Sequence, residues 1–356
     1  MTYAAAGVDI DAGDAAVERI KGHLDRTHGP RVMGRHGAFA GMLRLDSNPL
    51  FSRNYDKPVL VSCCDGVGTK IKLAADLGIH HTIGQDCVAM NVNDLIVQGA
   101  EPLMFLDYVG VHRVDPAEME QIVRGVADGC ALADCALLGG ETSEMPDVYT
   151  AGDYDLAGFA VGVVELDRVI DGPAAAREGD VVLGLGSSGI HSNGYTLVRA
   201  IAREKNLDLH AVHDGYADDP VAGGRPLGEA LLEPTRIYVR AVRALLDDDT
   251  LRGAVHGMAH ITGGGLPGNL NRALPDTLDA QVDTGAWAVP SLFRFLQDAG
   301  NVDEAEMFRV FNMGIGFCIV IDPAHADAAT GALEAAGEAV HRLGVLTPGT
   351  GIVRIN

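Results

Sequence analysis

The segment after the apolar run at residues 59–61 carries the residue types of a metal-assisted phosphate site. It reads Cys-Asp-Gly-Val-Gly-Thr-Lys from Cys64 to Lys70. Glycines let a backbone approach a phosphate closely because no Cβ intervenes, and a lysine ammonium neutralises phosphate charge. The Asp65 carboxylate suits a divalent cation, so Asp65 is both a candidate metal ligand and a candidate catalytic residue. The candidate phosphate ligands here are Gly66, Gly68, Thr69 and Lys70.

Other interpretations of this segment stay open from these residues alone. The Walker A spacing Gly-x-x-x-x-Gly-Lys is absent, so the segment is not a P-loop of that class. A strand–turn–helix corner capped by an aspartate would use the same residues and bind nothing.

A second acidic segment covers residues 84–94, and its apolar pattern predicts a helix from Val88 onward. Asp86 would then lie near the helix start, where it is a candidate metal ligand or a simple cap. Asn93 and Asp94 are poor helix formers in mid-helix. Their presence among apolar residues indicates a polar patch facing a site, with Asp94 as a further candidate metal ligand.

A third segment, residues 138–146, follows an apolar run and reads Leu-Gly-Gly-Glu-Thr-Ser-Glu-Met-Pro. Gly139 and Gly140 are candidate phosphate ligands, and Glu141 is a candidate metal ligand. An ordinary surface turn is the alternative interpretation.

The second half of the chain contains the spacing Gly184-x-Gly186-x-x-Gly189 after a predicted strand. This spacing matches a dinucleotide fingerprint, and Glu204 stands where a ribose-binding acid is expected. However, His-Ser-Asn-Gly at residues 191–194 delays the following helix, and such a loop is better suited to binding an anion. His191 is a candidate general acid or base. The candidate phosphate ligands of this loop are Ser187, Ser188, Gly189 and Asn193.

A last glycine segment, residues 260–268, lies between a predicted strand and a predicted helix. Backbone N–H groups at a helix start favour anions, so Gly263 and Gly264 are candidate phosphate ligands. A tightly packed turn is the alternative.

Composition limits the classes of function. The 356 residues favour two domains, and the net charge of −22 argues against a nucleic-acid partner. No window approaches the roughly 18 apolar residues of a membrane span, and the N-terminal residues lack signal-peptide features. The six cysteines show no Cys-x-x-Cys pair, which favours a cytoplasmic location without zinc or disulfides. Metal ions would have to screen phosphates from so acidic a chain.

Predicted strands alternate with amphipathic helices, which indicates an α/β or α+β layer fold. A loop-like stretch at residues 169–179 places the domain boundary between residues 170 and 171. We expect one helix over Leu231–Leu246 and a mobile surface loop over Asp208–Arg225.

The predicted strands of the first domain are apolar on both alternating sets of side chains. They cover Val59–Cys63, Pro102–Val111 and Asp155–Val164. A sheet with one solvated face should alternate polar and apolar residues. We therefore expect a homodimer in which a second copy covers the sheet.

Taken together and in this order, the motifs resemble those of the AIR synthetase (phosphoribosylformylglycinamidine cyclo-ligase) family. The likeness runs from about residue 3 to the C-terminus. Cys63, Cys64 and the divergent loop at residues 206–225 depart from the family pattern. The matching segments are Asp65–Lys70, Val92–Leu95, Gln98–Leu103, Phe105–Tyr108, Gly139–Thr142, Ser187–Gly189, His191–Tyr195, Pro234–Tyr238 and Thr262–Gly265.

The resemblance implies a fold and a reaction. Its N-terminal α/β domain, residues 1–170, would pair its sheet with that of a partner subunit and close a barrel across a homodimer. Residues 171–356 would form an α/β layer domain. With ATP and Mg²⁺, the enzyme would cyclise formylglycinamidine ribonucleotide to aminoimidazole ribonucleotide. The resemblance also implies that Lys21 lies near the ATP site.

Three alternatives remain at this point. One is another ATP-dependent member of the superfamily, such as selenophosphate synthetase or thiamine-monophosphate kinase, although residues 32–41 lack the cysteine usual in the former. The others are a nicotinamide-dependent oxidoreductase, from the Gly184 spacing, and a non-catalytic dimeric scaffold.

Overall fold

The structure, a computed structural model, describes residues 9–34 and 39–356. Its chain separates into two units. The first comprises the described residues up to Leu95 together with Ala100–Arg168, and the second comprises Ile96–Gly99 with Val169–Asn356. That residues 1–170 and 171–356 are independent domains stays a prediction.

The first unit is a mixed α/β unit. Its four-stranded sheet has the order β3-β6-β4-β5, in which β4 and β5 run parallel and the other neighbours run antiparallel. The described helices are α1 (Ile10–Asp25), α2 (Lys70–Leu77), α3 (His81–Val97) and α4 (Pro116–Leu132), and the strands are β1 (Val32–Met33), β2 (Met42–Leu43), β3 (Pro58–Gly66), β4 (Glu101–Val111), β5 (Ala136–Glu144) and β6 (Tyr154–Glu165).

One face of this sheet packs against α3. A Cβ on Gly158 of β6 would lie 2.9 Å from Asn91 Nδ2 and 3.0 Å from Cys87 Sγ. The neighbouring Phe105 and Ala160 are fully buried on the same face. The absent side chain at Gly158 therefore lets the helix approach the sheet closely.

The other face of the sheet carries exposed apolar side chains. Leu60, Phe159 and Tyr108, from three strands, are 60%, 40% and 39% exposed. Soluble monomers seldom show large contiguous apolar patches. This face, defined by Leu60, Tyr108 and Phe159, is called the open sheet face below.

Helix α3 begins at His81, seven residues before the predicted start at Val88. Gly84 permits this early start, because a Cβ there would overlap Ile122 O and Val126 N of α4. Gly125 of α4 faces His81 in the same close crossing. Asp86 consequently lies inside a helix rather than at its start, which corrects the prediction.

The second unit contains a six-stranded sheet of order β12-β9-β11-β7-β10-β8. The described helices are α5 (Gly172–Ala175), α6 (Tyr195–Glu204), α7 (Leu227–Leu231), α8 (Val239–Asp247), α9 (Asp249–Ala254), α10 (Gly265–Leu270), α11 (Ser291–Gly300), α12 (Glu304–Val310) and α13 (Ala326–Ala335), and the strands are β7 (Val181–Gly186), β8 (Val255–His260), β9 (Leu278–Val282), β10 (Ile315–Ile321), β11 (Val340–Pro348) and β12 (Val353–Ile355).

Antiparallel pairing brings three loops together at one end of the strands of this sheet. Strand β10 lies between β7 and β8 and runs antiparallel to both, with Ile315 opposite Gly186 and Phe317 opposite His260. The ends of β7 and β8 therefore lie beside the start of β10. The loops at residues 187–194, 261–264 and 311–314 meet there.

The same pairing removes the basis for a nicotinamide-binding fold. Strand β7 is flanked by antiparallel neighbours, β11 and β10, whereas the dinucleotide fold needs a parallel βαβ unit after the glycine turn. Residues 207–212, which would be the second strand of that unit, form turns and bends. The oxidoreductase alternative is therefore wrong in its structural premise.

Two other local predictions are corrected. The helix expected over Leu231–Leu246 is two helices, because residues 232–238 around Pro234 interrupt it. The segment Asp208–Arg225 is anchored, since Tyr216 is fully buried and the Asp219 carboxylate accepts backbone bonds from Val221, Ala222 and Leu292. Within residues 9–34 and 39–356, no helix has both the length and the apolar character needed to cross a membrane.

Candidate active site

The corner between β3 and α2 presents the first predicted loop. Gly68 adopts φ +74 with open space around it, and Gly68 and Thr69 are exposed. Asn91 of α3 fixes the preceding strand end, because its Oδ1 accepts from Asp65 N at 3.0 Å and its Nδ2 donates to Asp65 O at 3.2 Å. Gly66 N donates to Asp65 Oδ1 at 2.8 Å. This exposed turn is open to a ligand at Asp65, Gly66, Gly68 and Thr69.

Lys70 and Asp86 form a buried ion pair. Lys70 Nζ lies 2.9 Å from Asp86 Oδ1 and 2.8 Å from Oδ2, and both side chains are 0% exposed. The pair ties the start of α2 to α3. The predicted roles of Lys70 in phosphate binding and of Asp86 in metal binding stay predictions. Breaking one partner of such a pair costs about 3–5 kcal/mol.

Asp94 and Asp65 share one neighbourhood with Cys63. The Cys63 thiol donates to Asn91 O at 3.0 Å. Burial, followed by the charges of Asp94 and Asp65, raises the pKa of Cys63 to about 12. The thiol is therefore protonated at neutral pH, and both carboxylates are close enough to influence it.

Strand β5 contains Gly139, Gly140 and Glu141, which the alternative interpretation placed in a surface turn. The strand pairs in parallel with β4, and a bulge between Phe105 and Leu106 shifts its register. Gly140 and Glu141 are exposed. Throughout the described parts of the chain, no group of three or more His, Cys, Asp or Glu side chains is arranged to hold a metal ion. Metal binding by Asp65, Asp94 and Glu141 therefore stays a prediction.

One cavity brings Lys21 together with the β5 glycines. It has a volume of about 470 Å³ and lies between α1, the β1–β2 region and the start of β5. Lys21, Leu138, Gly139 and Gly140 line it. Lys21 also forms an ion pair with Glu18 one turn earlier. The resemblance implied that Lys21 lies near the ATP site, and the spacing of Lys21, Gly139 and Gly140 in the sequence gave no sign that they line one cavity.

Asp107 of β4, which the sequence analysis did not name as a candidate, lies beside the candidate phosphate ligand Gly140. It stands opposite Gly140 in β5 and Gly158 in β6, and a Cβ on Gly140 would overlap its carboxylate. Surrounding protein raises the pKa of Asp107 to about 7, although part of the residue remains accessible. The segment Phe105–Tyr108 belongs to the resembling motifs, and that was its only signal.

In the second unit, the loop after β7 is held from several sides. Ser187 N donates to Gly314 O at 2.8 Å, and Ser188 Oγ donates to Pro234 O at 2.6 Å. Ser192 Oγ lies 2.9 Å from Thr235 Oγ1. The Pro234–Tyr238 segment that interrupts the helix therefore has a role as a support for this loop.

His191 has a left-handed backbone, with φ +68, and is 2% exposed. Its Nε2 accepts from Ser188 N at 3.2 Å, and its ring lies 6.4 Å from that of Tyr238, centroid to centroid. A Cβ on Gly316 would overlap both rings. The structure thus holds His191 in one strained and enclosed position, a feature that clusters at functional sites. Its acid–base role stays a prediction.

The loop after β8 lies at the same end of the strands as the loop after β7. Asn269 Nδ2 donates to Thr262 O, Gly263 O and Gly265 O at 3.3, 3.2 and 2.9 Å. Gly263 is exposed, and a Cβ on it would lie 3.5 Å from Asn193 Nδ2. The structure therefore brings Asn193 and Gly263 together, with Gly264 beside them at φ +99.

Comparisons with known proteins show the family of this chain. Residues 49–164 match the N-terminal domain of the AIR synthase related proteins, and residues 177–355 match their C-terminal domain. The chain therefore belongs to the AIR synthase related protein family.

Relatives with a curated name give a more specific comparison than the family models. The phosphoribosylformylglycinamidine cyclo-ligase of Aromatoleum aromaticum is 52% identical over 344 residues, which cover 97% of this chain and 94% of the relative. The cyclo-ligase of Chromobacterium violaceum is 51% identical with the same coverage.

Solved structures support the fold alone, since their identity is low. Thiamine-monophosphate kinase from Stenotrophomonas maltophilia superposes with a TM-score of 0.68 at 18% identity, covering 96% of each chain. Hydrogenase maturation protein HypE in complex with ATP gives 0.65 at 18% identity, covering 95% of this chain and 90% of that one.

Proposed function

We propose that this chain closes the imidazole ring of formylglycinamidine ribonucleotide at the expense of ATP, yielding aminoimidazole ribonucleotide, ADP and phosphate in purine biosynthesis. The observation that carries the proposal is 51–52% identity across 97% of the chain to curated cyclo-ligases. The site geometry adds support, because Gly68 and Thr69 lie on an exposed turn and Gly139 and Gly140 line a cavity with Lys21.

The chemistry explains why such a site needs phosphate ligands. The formyl amide oxygen is a poor leaving group, and transfer of the γ-phosphoryl group to it creates an iminophosphate. The amidine nitrogen of the same molecule then attacks the formyl carbon, and phosphate departs with the former amide oxygen. The enzyme gains most by holding both reacting groups in one orientation, since intramolecular attack avoids a large entropic cost.

The first unit supplies the proposed nucleotide-binding residues. Lys21, Gly139 and Gly140 line one cavity, where a lysine charge and two side-chain-free positions suit a phosphate chain. Gly66, Gly68 and Thr69 offer a second backbone turn. Asp65 and Asp94 would hold Mg²⁺ at one place, and Glu141, on the opposite outer strand of the sheet, would hold it at another, because carboxylate oxygens suit this hard cation. When bound, Mg²⁺ would supply the positive charge that a chain of net charge −22 lacks.

The second unit supplies the proposed substrate-handling loops. Gly189 and Asn193 would bring backbone and amide donors, and Gly263, which is exposed, and Gly264 would add backbone N–H groups. Ser187 and Ser188 are proposed beside them, with hydroxyls that bond to Gly189, Asn312 and Pro234 in this structure. These donors suit a phosphate or ribose group. His191 would remove the proton that the attacking nitrogen loses, acting as a general base through its imidazole ring.

Product analysis tests the proposed function. Purified protein with ATP, Mg²⁺ and formylglycinamidine ribonucleotide should form aminoimidazole ribonucleotide, ADP and phosphate in equal amounts. Omitting the ribonucleotide should stop ADP release. ADP release without the imidazole product would assign the chain to another ATP-dependent reaction.

We propose further that the chain is a homodimer whose sheets close a barrel. The open sheet face supports this, since Leu60, Tyr108 and Phe159 would otherwise remain in water. Light scattering should give twice the chain mass of 37.3 kDa. Phe159→Glu should yield monomer, while Val212→Glu, at an exposed apolar position in the second unit, should not. An active wild-type monomer would contradict this assembly.

A further inference from the structure

We propose that Asn312 is a positioning residue that sets the conformation of the Ser187–His191 loop. The inference rests on the proposed function of that loop in handling a phosphate-bearing ligand. Asn312 lies in the segment before β10, to which the sequence analysis assigned no role.

The Asn312 amide uses its full bonding capacity to join two loops. Its Oδ1 accepts from Ser187 Oγ at 3.1 Å and from Gly314 N at 2.8 Å. Its Nδ2 donates to Gly189 O at 2.9 Å and to Ile190 O at 3.1 Å. A buried primary amide has two acceptor and two donor positions. Gly314 N, Gly189 O and Ile190 O occupy three of them, and Ser187 Oγ, which shares its one proton between Asn312 Oδ1 and Gly189 O, occupies the fourth.

The bonded loop has a conformation that needs such support. Gly189 has φ +141 and His191 has φ +68, and the latter is costly for a residue with a side chain. The two carbonyls that Asn312 binds belong to Gly189 and Ile190, directly before His191. Asn312 itself is 3% exposed, so it acts through the loop and does not contact the ligand.

A buried polar residue elsewhere in the second unit can distinguish this positioning role from general stabilisation. Asp279 is equally buried, and it binds Thr350 N, Ile352 N and Arg354 near the chain end. Its strand register places it opposite Thr347 in β11, at the end of the strands opposite to the 187–194 loop. Asp279 therefore provides a control of comparable burial and bonding.

The test uses the full-length protein and the cyclisation assay. Asn312→Asp keeps the acceptor oxygen and the shape of the side chain, but when the new carboxyl is ionised a second acceptor oxygen replaces the NH₂ group that donates to Gly189 O and Ile190 O. We expect kcat at pH 8.5 to fall about 10- to 100-fold, as small misplacements of catalytic groups do. Protonation restores one O–H donor, so the ratio of variant to wild-type kcat should rise as pH falls towards 6.

Controls make the outcome specific. The ratio of variant to wild-type kcat removes the pH dependence that both proteins share. Asn312→Ser should show the same loss without recovery at low pH, and it replaces Asn312→Asp if that variant precipitates. Asp279→Asn should lower the melting temperature but leave kcat within about twofold of wild type.

The possible results of these assays test the proposed function and the positioning role of Asn312 separately. If wild type does not cyclise the substrate, the proposed function fails. If wild type is active and both Asn312 variants keep wild-type kcat at pH 8.5, the positioning role is overturned. A loss in Asn312→Asp that is equal at all pH values, or matched by Asp279→Asn, also overturns it, because general destabilisation would explain the loss.

Discussion

The buried ion pair between Lys70 and Asp86 gives the sharpest mutational prediction. Lys70→Met would leave the Asp86 carboxylate without its cation in a position that is 0% exposed. Removal of one partner of such a pair costs about 3–5 kcal/mol. For a unit of this size, each kcal/mol lowers the melting temperature by about 2–4 °C, so we expect a fall of roughly 6–20 °C in the transition of the first unit.

The double variant distinguishes this role from direct phosphate binding. Lys70→Met combined with Asp86→Leu removes both charges, and apolar replacement of a buried pair is often neutral or stabilising. The melting temperature should therefore recover most of the loss. If Lys70 supports the structure only, ATP affinity should recover as well.

Calorimetry supplies the assay, with thermal unfolding and ATP titration measured on the same samples. Arg309→Met, which breaks an exposed pair with Glu306, is the control, and it should change the melting temperature little. A Lys70→Met protein that melts like wild type but does not bind ATP would refute the structural role. Loss of ATP binding that persists in the double variant would refute it too.

Three further predictions follow from the site. Lys21→Ala should weaken ATP binding about tenfold, the size of one charged hydrogen bond, and weaken ribonucleotide binding less; equal weakening in separate titrations would contradict the cavity assignment. Asp65→Asn should lower kcat by about 10² or more with an unchanged circular dichroism spectrum, since a metal-bridging carboxylate is worth several kcal/mol; full activity at every Mg²⁺ concentration would rule out the metal role. Burial raises the pKa of Asp107 to about 7. Because the folded protein keeps this proton at pH values where the unfolded chain has lost it, the free energy of unfolding falls as pH rises from about 4 to 7. Asp107→Asn should flatten this fall in melting temperatures measured against pH, and an unchanged slope would show that Asp107 does not cause it.

Much of the first unit was accessible from the sequence. Strands β4 and β6 lie within one residue of the predicted ranges, and β3 begins one residue earlier and ends three residues later than predicted. These segments have long apolar runs or strong amphipathic patterns, which depend on local sequence. The order of the motifs identified the family before the structure was known, because each motif is local too.

Contacts between residues that are far apart in the sequence could not be predicted from local patterns. Lys70 and Asp86 both matched candidate ligands by type, but their burial depends on how α2 packs against α3. Strand β5 was hidden because its glycines are typical of turns, and only its pairing with β4 makes it a strand. Asn312 had no signal, since a buried amide that joins two loops is recognised only once both loops are placed.

Isotope transfer tests the central claim of phosphoryl activation most directly. Formylglycinamidine ribonucleotide labelled with ¹⁸O in its formyl oxygen should pass that oxygen to the released phosphate, one label for each imidazole ring formed. Recovery of the ¹⁸O in water, with unlabelled phosphate, would contradict the account.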